Sequence, residues 1–296
     1  MIYVKLVSGL GNQLFQYAIG RMISLKNNMP LKLDVSFFES QSLRQFKLNH
    51  YNIAADIATP DEVDKFLTNY RSKSIKSKIF RKIDYRLPKS YRRYFIESEP
   101  FVYEPDLFKI HNSVYLDGYW QNQAYFADVN PTIFKELKIK EVYSAIAGNY
   151  LKKIQHHPSS VALHIRRGDY VTDKKAFEMM GVLPIDYYNE ATKIIKSDLI
   201  DPHYFVFSDD LNWAKDKLNV GSAVTFVDFN GEISDYTELE LMSQCKHNII
   251  ANSSFSWWGA FLNTNKKKIV ISPQNWVKSS AINSKVHIQM SNWLKL

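Results

Sequence analysis

Apolar and polar positions follow a regular rhythm in the second half of the chain. From about residue 159, apolar runs of strand length alternate with longer stretches of helical period. The runs are VALHI, HYFVFS, AVTFVD, HNIIA and KIVIS, and the helical stretches include DYYNEATKIIKSD and TELELMSQCK. This alternation predicts a parallel, doubly wound α/β sheet. Ligands of such sheets bind beyond the carboxyl ends of the strands, so polar residues that directly follow a strand are the first candidates for function.

The N-terminal part begins with a β-turn-α-β pattern. The run IYVKLV precedes a glycine turn, SGLGNQ, a helical stretch, LFQYAIGRMISLKN, and a second run, LKLDV. Residues 40–115 have no regular period, and a further strand, SVYLDGYW, precedes a helix that starts near Asn122. We therefore predict two α/β domains, 1–155 and 156–296, divided within or just after EVYSAIAGNYLKKIQ. The last residues are candidates for packing back onto the N-terminal domain.

Composition restricts the class of protein. Hydrophobic residues make up 45% of the 296 residues, which is enough for a large core, and Cys245 is the single cysteine. One cysteine gives neither an internal disulfide nor a cysteine metal cluster. We find no secretory signal and no apolar stretch approaching about 18 residues. We therefore expect a reducing, cytoplasmic setting.

The net charge of +8 comes from one segment, residues 71–93. Its sequence, RSKSIKSKIFRKIDYRLPKSYRR, has ten basic residues and one acidic residue, or +9, so the rest of the chain sums to −1. The segment is either a solvated helix and loop or a patch for anionic lipid or a pyrophosphate-linked acceptor. Aromatic residues are not regularly interleaved with the charges, which argues against a nucleic-acid partner. Any membrane contact is expected to be peripheral, on the inner face of the cytoplasmic membrane.

The glycine turn resembles a dinucleotide fingerprint only in part, because Leu14 stands at the third glycine position. Gly9 and Gly11 still suggest that the backbone approaches a ligand closely. Asn12 and Gln13 add neutral hydrogen-bonding groups at a helix N-terminus. The alternative is a tight turn with an asparagine cap.

The stretch HIRRGDY, residues 164–170, is more informative, because two arginines follow an apolar run. A guanidinium stays charged at any working pH and presents a planar fork of donors that suits phosphate. Asp169 would either orient an arginine or act as a base, and Gly168 lets the chain turn sharply. The alternative is a surface Arg–Asp ion pair, which the burial of the preceding strand disfavours.

The run HYFVFS ends in Ser208, and Asp209 and Asp210 follow it directly. Ser208 or Asp209 would cap the next helix, which is the usual role of such residues before a helical stretch. Alternatively Asp209 and Asp210 would bind a metal ion. The sequence offers them no further carboxylate partner, so capping is the favoured interpretation.

A serine turn, residues 252–254, stands between the run HNIIA and a helix with several aromatic residues. Its hydroxyls and N–H groups suit a diphosphate, aided by the helix dipole. The alternative is an N-cap over a core that contains Trp257 and Trp258, and both interpretations can hold. Glu238 opens the preceding helix, where a carboxylate could accept hydrogen bonds from N1–H and N2–H of guanine or be an ordinary helix-start acid.

Three motifs together resemble the α-1,2-fucosyltransferases of glycosyltransferase family 11. They are GLGNQLFQYA at 9–18, HIRRGDY at 164–170 and NSSFSWWGAFL at 252–262, in the family's order. The resemblance extends from the start of the chain to about residue 275. It implies a GT-B fold of two Rossmann-like domains that face each other across a cleft. It also implies transfer of L-fucose from GDP-β-L-fucose to O2 of a terminal galactose of a glycan, with inversion and without a metal or other cofactor, as in surface polysaccharide or O-antigen synthesis.

The resemblance also implies roles for individual residues. Arg166 and Arg167 would neutralise the donor diphosphate, and Asp169 is the candidate base. The donor-binding set that it implies is Gly11, Asn12, Gln13, His164, Glu238, Ser253, Ser254 and Phe255. Asn12 and Gln13 would approach the fucose or the acceptor from the other domain. Glu238 stands where related enzymes usually carry aspartate, which lengthens the side chain at that position.

Two other functions compete with this one. The first is a GT-B transferase that uses another nucleotide sugar or makes another linkage. The second is a non-catalytic basic protein that binds lipid or nucleic acid through residues 71–93. Binding of GDP would favour a transferase, whereas salt-sensitive binding of oligonucleotides without an effect of GDP would favour the second alternative.

Overall fold

Both parts of the chain contain the predicted alternation of strands and helices. A computed structural model describes residues 1–229, Gly231 and 235–296. The chain divides into two units, Met1–Lys138 (unit 1) and Ile139–Leu296 (unit 2). Each unit contains one sheet whose strands are all parallel. The α/β class that the sequence predicts is therefore confirmed.

Unit 1 has a five-stranded sheet. Its elements are β1 (Ile2–Lys5), α1 (Leu10–Asn27), β2 (Leu31–Asp34), α2 (Ser36–Glu39), β3 (Asp56–Ile57), α3 (Pro60–Arg71), α4 (Ile75–Asp84), β4 (Tyr94–Ile96), β5 (Val114–Asp117) and α5 (Pro131–Glu136), with short 3₁₀ helices at Leu48–His50, Lys89–Tyr91, Pro105–Lys109 and Gln123–Tyr125. The strand order is β3-β2-β1-β5-β4. The carboxyl ends of β1, β5 and β4 therefore lie side by side.

Helix α1 packs closely on this sheet. A Cβ atom at Gly20 would lie 2.3 Å from Cγ2 of Val4 in β1, so glycine is required for this approach. The helix ends at Asn28, whose left-handed conformation (φ 49°) is typical of a C-cap. Although α1 is the longest helix that the structure describes, neither it nor any other described helix is both long and apolar enough to cross a bilayer.

Unit 2 has a six-stranded sheet. Its elements are α6 (Ala145–His156), β6 (Ser160–Ile165), α7 (Gly168–Thr172), α8 (Lys174–Met180), α9 (Ile185–Asp198), β7 (His203–Ser208), α10 (Leu211–Lys217), β8 (Val224–Phe226), α11 (Asp235–Gln244), β9 (His247–Ile249), α12 (Ser254–Leu262), β10 (Val270–Ser272), α13 (Ser280–Asn283) and β11 (Leu294–Lys295). The order is β11-β10-β9-β6-β7-β8. The fully buried strand β6 lies between β9 and β7, and its two faces belong to two core clusters.

The division between the units differs from the predicted one. Unit 2 begins at Ile139, whereas the sequence suggested a boundary at residue 155. The reason is the packing of α6, because Ile154 is buried in the same core cluster as Ala162 of β6 and Phe205 of β7. The stretch that was expected to close the first domain is therefore the first helix of unit 2.

The end of the chain forms a strand of unit 2. The last strand, β11, pairs in parallel with β10, in the register Ile271 to Leu294 and Ser272 to Lys295. These residues extend the sheet of unit 2. The backbone N–H of Leu296 also donates to the carbonyl of Ser272, at 3.0 Å. The final residues thus belong to the sheet of unit 2.

Candidate active site

Arg166 directly follows β6 at the carboxyl edge of the unit 2 sheet. Its Nη2 atom lies 2.6 Å from Oδ1 of Asp169, and its Nη1 atom lies 2.8 Å from Oδ2 of Asp209. Asp209 stands at the end of β7, which pairs in parallel with β6. Both terminal nitrogens of Arg166 are therefore held by carboxylates of unit 2.

Arg167 is held through a different part of its guanidinium. Its Nε atom donates to Oδ2 of Asp210 at 3.0 Å, and its guanidinium carbon lies 4.1 Å from the centroid of the Trp213 ring, a cation–π contact. Its backbone N–H donates to Oδ1 of Asp209 at 2.8 Å. Within residues 1–229, Gly231 and 235–296, neither terminal nitrogen of Arg167 has a partner. Arg167 is thus the arginine whose fork of donors is available to an anion.

Three carboxylates balance the charges of the two arginines. Partly buried guanidinium groups need hydrogen-bonding partners of opposite charge, and Asp169, Asp209 and Asp210 supply them. The hydrogen bond from Arg167 lowers the pKa of Asp210 below its ordinary value. These pairs are partly buried and join neighbouring strand ends, so they differ from the simple surface pair that the sequence offered as the alternative.

The two aspartates after β7 have separate roles. Asp210 is the N-cap of α10, since its Oδ1 accepts a hydrogen bond from the N–H of Trp213 at 3.2 Å. The capping interpretation named Ser208 or Asp209, so the position of the cap is corrected, while Asp209 binds the arginines. A Cβ atom at Gly168 would lie 2.5 Å from Oδ2 of Asp209, and only glycine permits this approach. In the part of the chain that the structure describes, no group of three His, Cys, Asp or Glu side chains is arranged to hold a metal ion.

His164 lies within β6, next to the arginines. Its ring is 5.6 Å from the ring of Phe255, and its buried Nδ1 atom has no hydrogen-bond partner among the described residues. Burial, and secondarily the charge of Arg166, lowers the pKa of His164 to about 3. The imidazole is therefore neutral at working pH. It can offer a hydrogen-bond donor or acceptor to a ligand, but no positive charge to a phosphate.

The serine turn begins helix α12. Oγ of Ser253 accepts a hydrogen bond from the N–H of Phe255 at 3.3 Å, which confirms its capping role, and Ser254 opens the helix as a half-exposed residue. Trp257 and Trp258 are fully buried, as expected of core residues. The first-turn N–H groups of α12 stand at the positive end of the helix dipole, which is suited to an anion.

A hydrogen bond joins the arginine segment to the serine turn. The hydroxyl of Tyr170 donates to the carbonyl of Asn252 at 3.0 Å. The side-chain amide of Asn252 in turn donates to the carbonyls of Met180 (2.8 Å) and Trp276 (3.2 Å). The structure therefore brings the predicted motifs HIRRGDY and NSSFSWWGAFL together at one edge of the sheet.

Glu238 lies in the first turn of α11 and belongs to the same region. Burial first, and then the charges of Asp235 and Asp209, raise its pKa to about 7 against the lowering effect of the charge of Arg166. No hydrogen bond to its carboxyl group occurs within the described part of the chain. Glu238 is therefore a half-buried carboxyl group beside the arginines that is available to a ligand.

The predicted site residues of unit 1 differ in their exposure to solvent. Gly11 is buried in the first turn of α1. Gln13 is 0% exposed, and its amide bonds to the carbonyls of Ser8 (3.1 Å) and Gln45 (2.9 Å) and to the N–H of Lys47 (3.0 Å). These bonds fix a neighbouring loop and occupy both amide atoms of a buried side chain, which argues against the predicted approach of Gln13 to the fucose or the acceptor. Asn12, by contrast, is half-exposed.

Asn12 belongs to a group of residues at strand ends that we call the strand-end cluster: Ser8, Asn12, Glu97, Gly118 and Gln121. Asn12 donates to Oγ of Ser8 at 2.8 Å and accepts from the amide of Gln121 at 2.6 Å. These residues follow the adjacent strands β1, β4 and β5. Ser8 adopts a left-handed conformation, φ 70°. Strained non-glycine residues of this kind concentrate at functional sites.

Glu97 is the titratable member of the strand-end cluster. Its Oε2 atom accepts from the N–H of Tyr119 at 2.7 Å, and its Oε1 atom accepts from the N–H of Trp120 at 3.0 Å. Trp120 is fully buried with φ 59°, so Glu97 fixes a strained turn. Burial raises the pKa of Glu97 to about 7, because its effect exceeds the opposite effect of the two backbone hydrogen bonds. The group can therefore take up or release a proton near neutral pH.

Sequence reasoning missed Glu97. Strand β4 has three residues and lies in a region without regular period, so no strand was expected there. The predicted strand SVYLDGYW is also shorter, because β5 ends at Asp117, before Gly118 and the left-handed Trp120. The signal that was present is the apolar triplet YFI directly followed by a carboxylate.

Two units, each with a parallel sheet and helices, are the architecture of GT-B glycosyltransferases. The chain belongs to glycosyl transferase family 11, whose model matches residues 1–296. It is 33% identical to the O-antigen biosynthesis glycosyltransferase WbnK of Escherichia coli, over 100% of both chains. It is also 33% identical to an alpha-1,2-colitosyltransferase of Escherichia coli, over 96% of this chain and 95% of that protein. The resemblance to family 11 is thereby confirmed.

The fold has a solved counterpart. The crystal structure of the fucosyltransferase NodZ from Bradyrhizobium matches 87% of this chain and 91% of its own, with a TM-score of 0.51 and 14% identity. NodZ has also been co-crystallised with GDP. At this identity the likeness establishes the shared fold.

Proposed function

We propose that this family 11 glycosyltransferase transfers L-fucose from GDP-β-L-fucose to O2 of a terminal galactose, with inversion, in surface polysaccharide or O-antigen synthesis. The observation that carries the proposal is the carboxyl edge of the unit 2 sheet. There the terminal nitrogens of Arg167, which have no partner in the described part of the chain, lie at the same edge as the N-terminus of α12. Family membership and a relative named for O-antigen biosynthesis support it. Such a relative also argues against the alternative function, a non-catalytic protein that binds lipid or nucleic acid.

The donor would be bound by groups of unit 2. The terminal nitrogens of Arg167 and the first turn of α12, with Ser253 and Ser254, would receive the diphosphate. Neutral His164, beside Phe255, would contribute a hydrogen bond rather than a charge. Glu238 would accept hydrogen bonds from guanine as a carboxylate. Arg166 would act mainly by fixing Asp169 and Asp209.

The reaction would then proceed in one displacement. The O2 oxygen of galactose forms a bond to the anomeric carbon of fucose, the bond from that carbon to the diphosphate oxygen breaks, and its electron pair leaves with GDP. Donors aimed at the leaving oxygen stabilise the growing charge. We propose that no divalent metal takes part, so activity in the presence of EDTA tests this directly.

The proton of the acceptor hydroxyl needs an acceptor of its own. Asp169, the candidate from the sequence, is engaged by Arg166, which favours an orienting role. We propose that the acceptor binds at the strand-end cluster of unit 1 and that Glu97 takes the proton. Both oxygens of Glu97 are fixed by backbone N–H groups, and its pKa of about 7 suits a general base.

Thermal shift with GDP, GDP-fucose and UDP tests the donor. We expect GDP and GDP-fucose to raise Tm and UDP to have little effect, because a ligand that binds only the folded state stabilises it. Incubation of GDP-fucose with galactose-terminated acceptors, followed by linkage analysis of the product, tests the transfer. No stabilisation by GDP, or a product linked through another hydroxyl, would contradict the proposal.

The colitosyltransferase relative supports a second donor. Colitose lacks the 3-hydroxyl of L-fucose, so the two GDP-sugars differ by one hydrogen-bonding group. A site that binds this hydroxyl should disfavour the deoxy sugar by up to about 10⁴-fold, whereas a site without such a contact should accept both. Comparison of kcat/KM for the two donors with one acceptor decides between them.

The role of Asp169 is tested by two substitutions. We expect Asp169→Asn to keep turnover within about tenfold of the wild type, because asparagine retains an oxygen for Arg166, and Asp169→Ala to lose more. Equal losses of about 10² or more in both variants would instead assign the base to Asp169. The measurement is kcat in folded variants whose Tm has been determined.

A further inference from the structure

Helix α4 of unit 1 presents an apolar face to solvent. The side chains of Ile75, Ile79 and Ile83 are 75%, 55% and 58% exposed. The loop after the helix adds three more, so that residues 71–93 hold six of the 19 large hydrophobic side chains that are exposed in the described chain. Isolated exposed apolar residues are ordinary, whereas a contiguous group marks an interaction surface.

The opposite face of α4 anchors the helix. Ser77 and Asp84 are buried, and Oδ2 of Asp84 accepts a hydrogen bond from the hydroxyl of Tyr70 in α3 at 2.7 Å. Nη1 of Arg81 donates to the carbonyls of Asn69 (2.7 Å) and Ser72 (2.8 Å) at the end of α3. The isoleucines are therefore held outward on a docked helix.

Lysines border this apolar face on both sides. At about 100° per residue, Ile75, Ile79 and Ile83 span an arc of about 80°, with Lys76 beyond one border. Lys78 and Lys82 lie beyond the other border at the same spacing. No ion-pair partner contacts these three lysines among residues 1–229, Gly231 and 235–296.

We propose that residues 71–93 form a membrane-binding surface, in which the isoleucines of α4 insert between the headgroups of an anionic lipid bilayer and the lysines contact the lipid phosphates. An apolar stripe bordered by cations is the arrangement of helices that lie in the plane of a membrane interface. The segment carries +9 in a chain that is otherwise −1, so the attraction to anionic lipid is local. The surface lies outside the residues proposed for sugar transfer.

Charge and apolarity together favour a bilayer over other partners. A nucleic acid would engage the lysines but would leave three isoleucines against a polar backbone. A second copy of this chain would bring a second segment of the same sign into the interface, and like charges repel. A helix that faced only water would gain no stability from the exposed side chains of Ile79 and Ile83 on the same face as Ile75. An anionic bilayer offers phosphates to the lysines and an apolar interior to the isoleucines.

Co-sedimentation of the full chain with vesicles tests the proposal. We expect binding to vesicles of phosphatidylglycerol and phosphatidylethanolamine to exceed binding to phosphatidylcholine by about tenfold or more, and to weaken between about 0.1 and 0.5 M salt. Ile75→Ser, Ile79→Ser and Ile83→Ser combined should lower binding by about tenfold or more. Lys76→Gln, Lys78→Gln and Lys82→Gln combined should also lower it and flatten the salt dependence.

Matched controls separate this surface from the general charge of the protein. Ile200→Ser removes an isoleucine that is 92% exposed in unit 2. Lys175→Gln, Lys266→Gln and Lys267→Gln combined remove the same charge from exposed sites of unit 2. Neither control should change vesicle binding, and all variants should keep the wild-type Tm.

Several outcomes would overturn the proposal. They are equal binding to both vesicle types, wild-type binding of the triple isoleucine variant, a chain that stays in solution, and a vesicle-independent dimer that the isoleucine variant dissociates. Fucosyl transfer to a soluble acceptor is measured in parallel and should be unchanged in both triple variants. A failure of membrane binding is thereby distinguished from a failure of the proposed transferase activity.

Discussion

Arg167→Ala is expected to lower kcat with GDP-fucose by at least about 10²-fold. One preorganised donor aimed at developing negative charge contributes about 3–4 kcal/mol to transition-state stabilisation. Arg167 is the preorganised donor here, because Asp210 holds its Nε atom and the Trp213 ring supports its plane, while its terminal nitrogens remain available. The measurement is kcat and KM for the donor, together with the stabilisation of the variant by GDP.

Two companion variants make this result specific. Arg167→Lys keeps the charge but loses the planar fork, so it should recover only part of the activity. Arg166→Ala removes the partner of Asp169 and Asp209, so its main effect should be a lower Tm. A folded Arg167→Ala enzyme with near-normal kcat would remove Arg167 from the mechanism.

Much of unit 2 can be predicted from sequence because its signals are local. The run VALHI, the polar residues after it and the serine turn before α12 all lie within a few residues of the element they define. The rule that ligands bind at the carboxyl edge of a parallel sheet then brings these motifs together. The bond from Tyr170 to Asn252 agrees with that expectation.

The ion pairs could not be predicted in the same way. Asp209 is 43 positions from Arg166 in the sequence, and only the pairing of β6 with β7 brings the two together. Local rules assign the helix cap to Ser208 or Asp209, whereas the cap is Asp210. Which charged groups pair at the site therefore depends on the order of the strands in the sheet. The pattern of residues indicates that order only indirectly.

Unit 1 was less predictable for a related reason. Its strands β3 and β4 have two and three residues, which is too short for any period to be recognised. The burial of Gln13 depends on a loop more than thirty positions away, at Gln45 and Lys47. A polar residue at a helix N-terminus resembles a ligand-binding group in sequence whether it faces a ligand or a loop.

Glu97→Gln is expected to lower kcat by about 10²–10⁴-fold, the usual contribution of a general base. Glutamine fills the same space but cannot take up the proton of the acceptor hydroxyl. The pH dependence gives the sharper test. A base must be deprotonated, so wild-type kcat should rise about tenfold per pH unit below the Glu97 pKa of about 7 and level off above it. The variant should lack this dependence.

Two comparisons separate a base from a residue that only fixes the turn at Trp120. Glu99→Gln, an exposed neighbour, should leave kcat and its pH profile unchanged. Glu238 also has a pKa of about 7 but lies in unit 2, so its titration should change the affinity for GDP. The Glu97→Gln variant should keep the pH dependence of that affinity. A contradictory result would be a folded Glu97→Gln variant that binds GDP normally and whose kcat still rises with pH up to about pH 7. Another group would then accept the proton of the acceptor hydroxyl, and Glu97 would serve only to fix the strained turn.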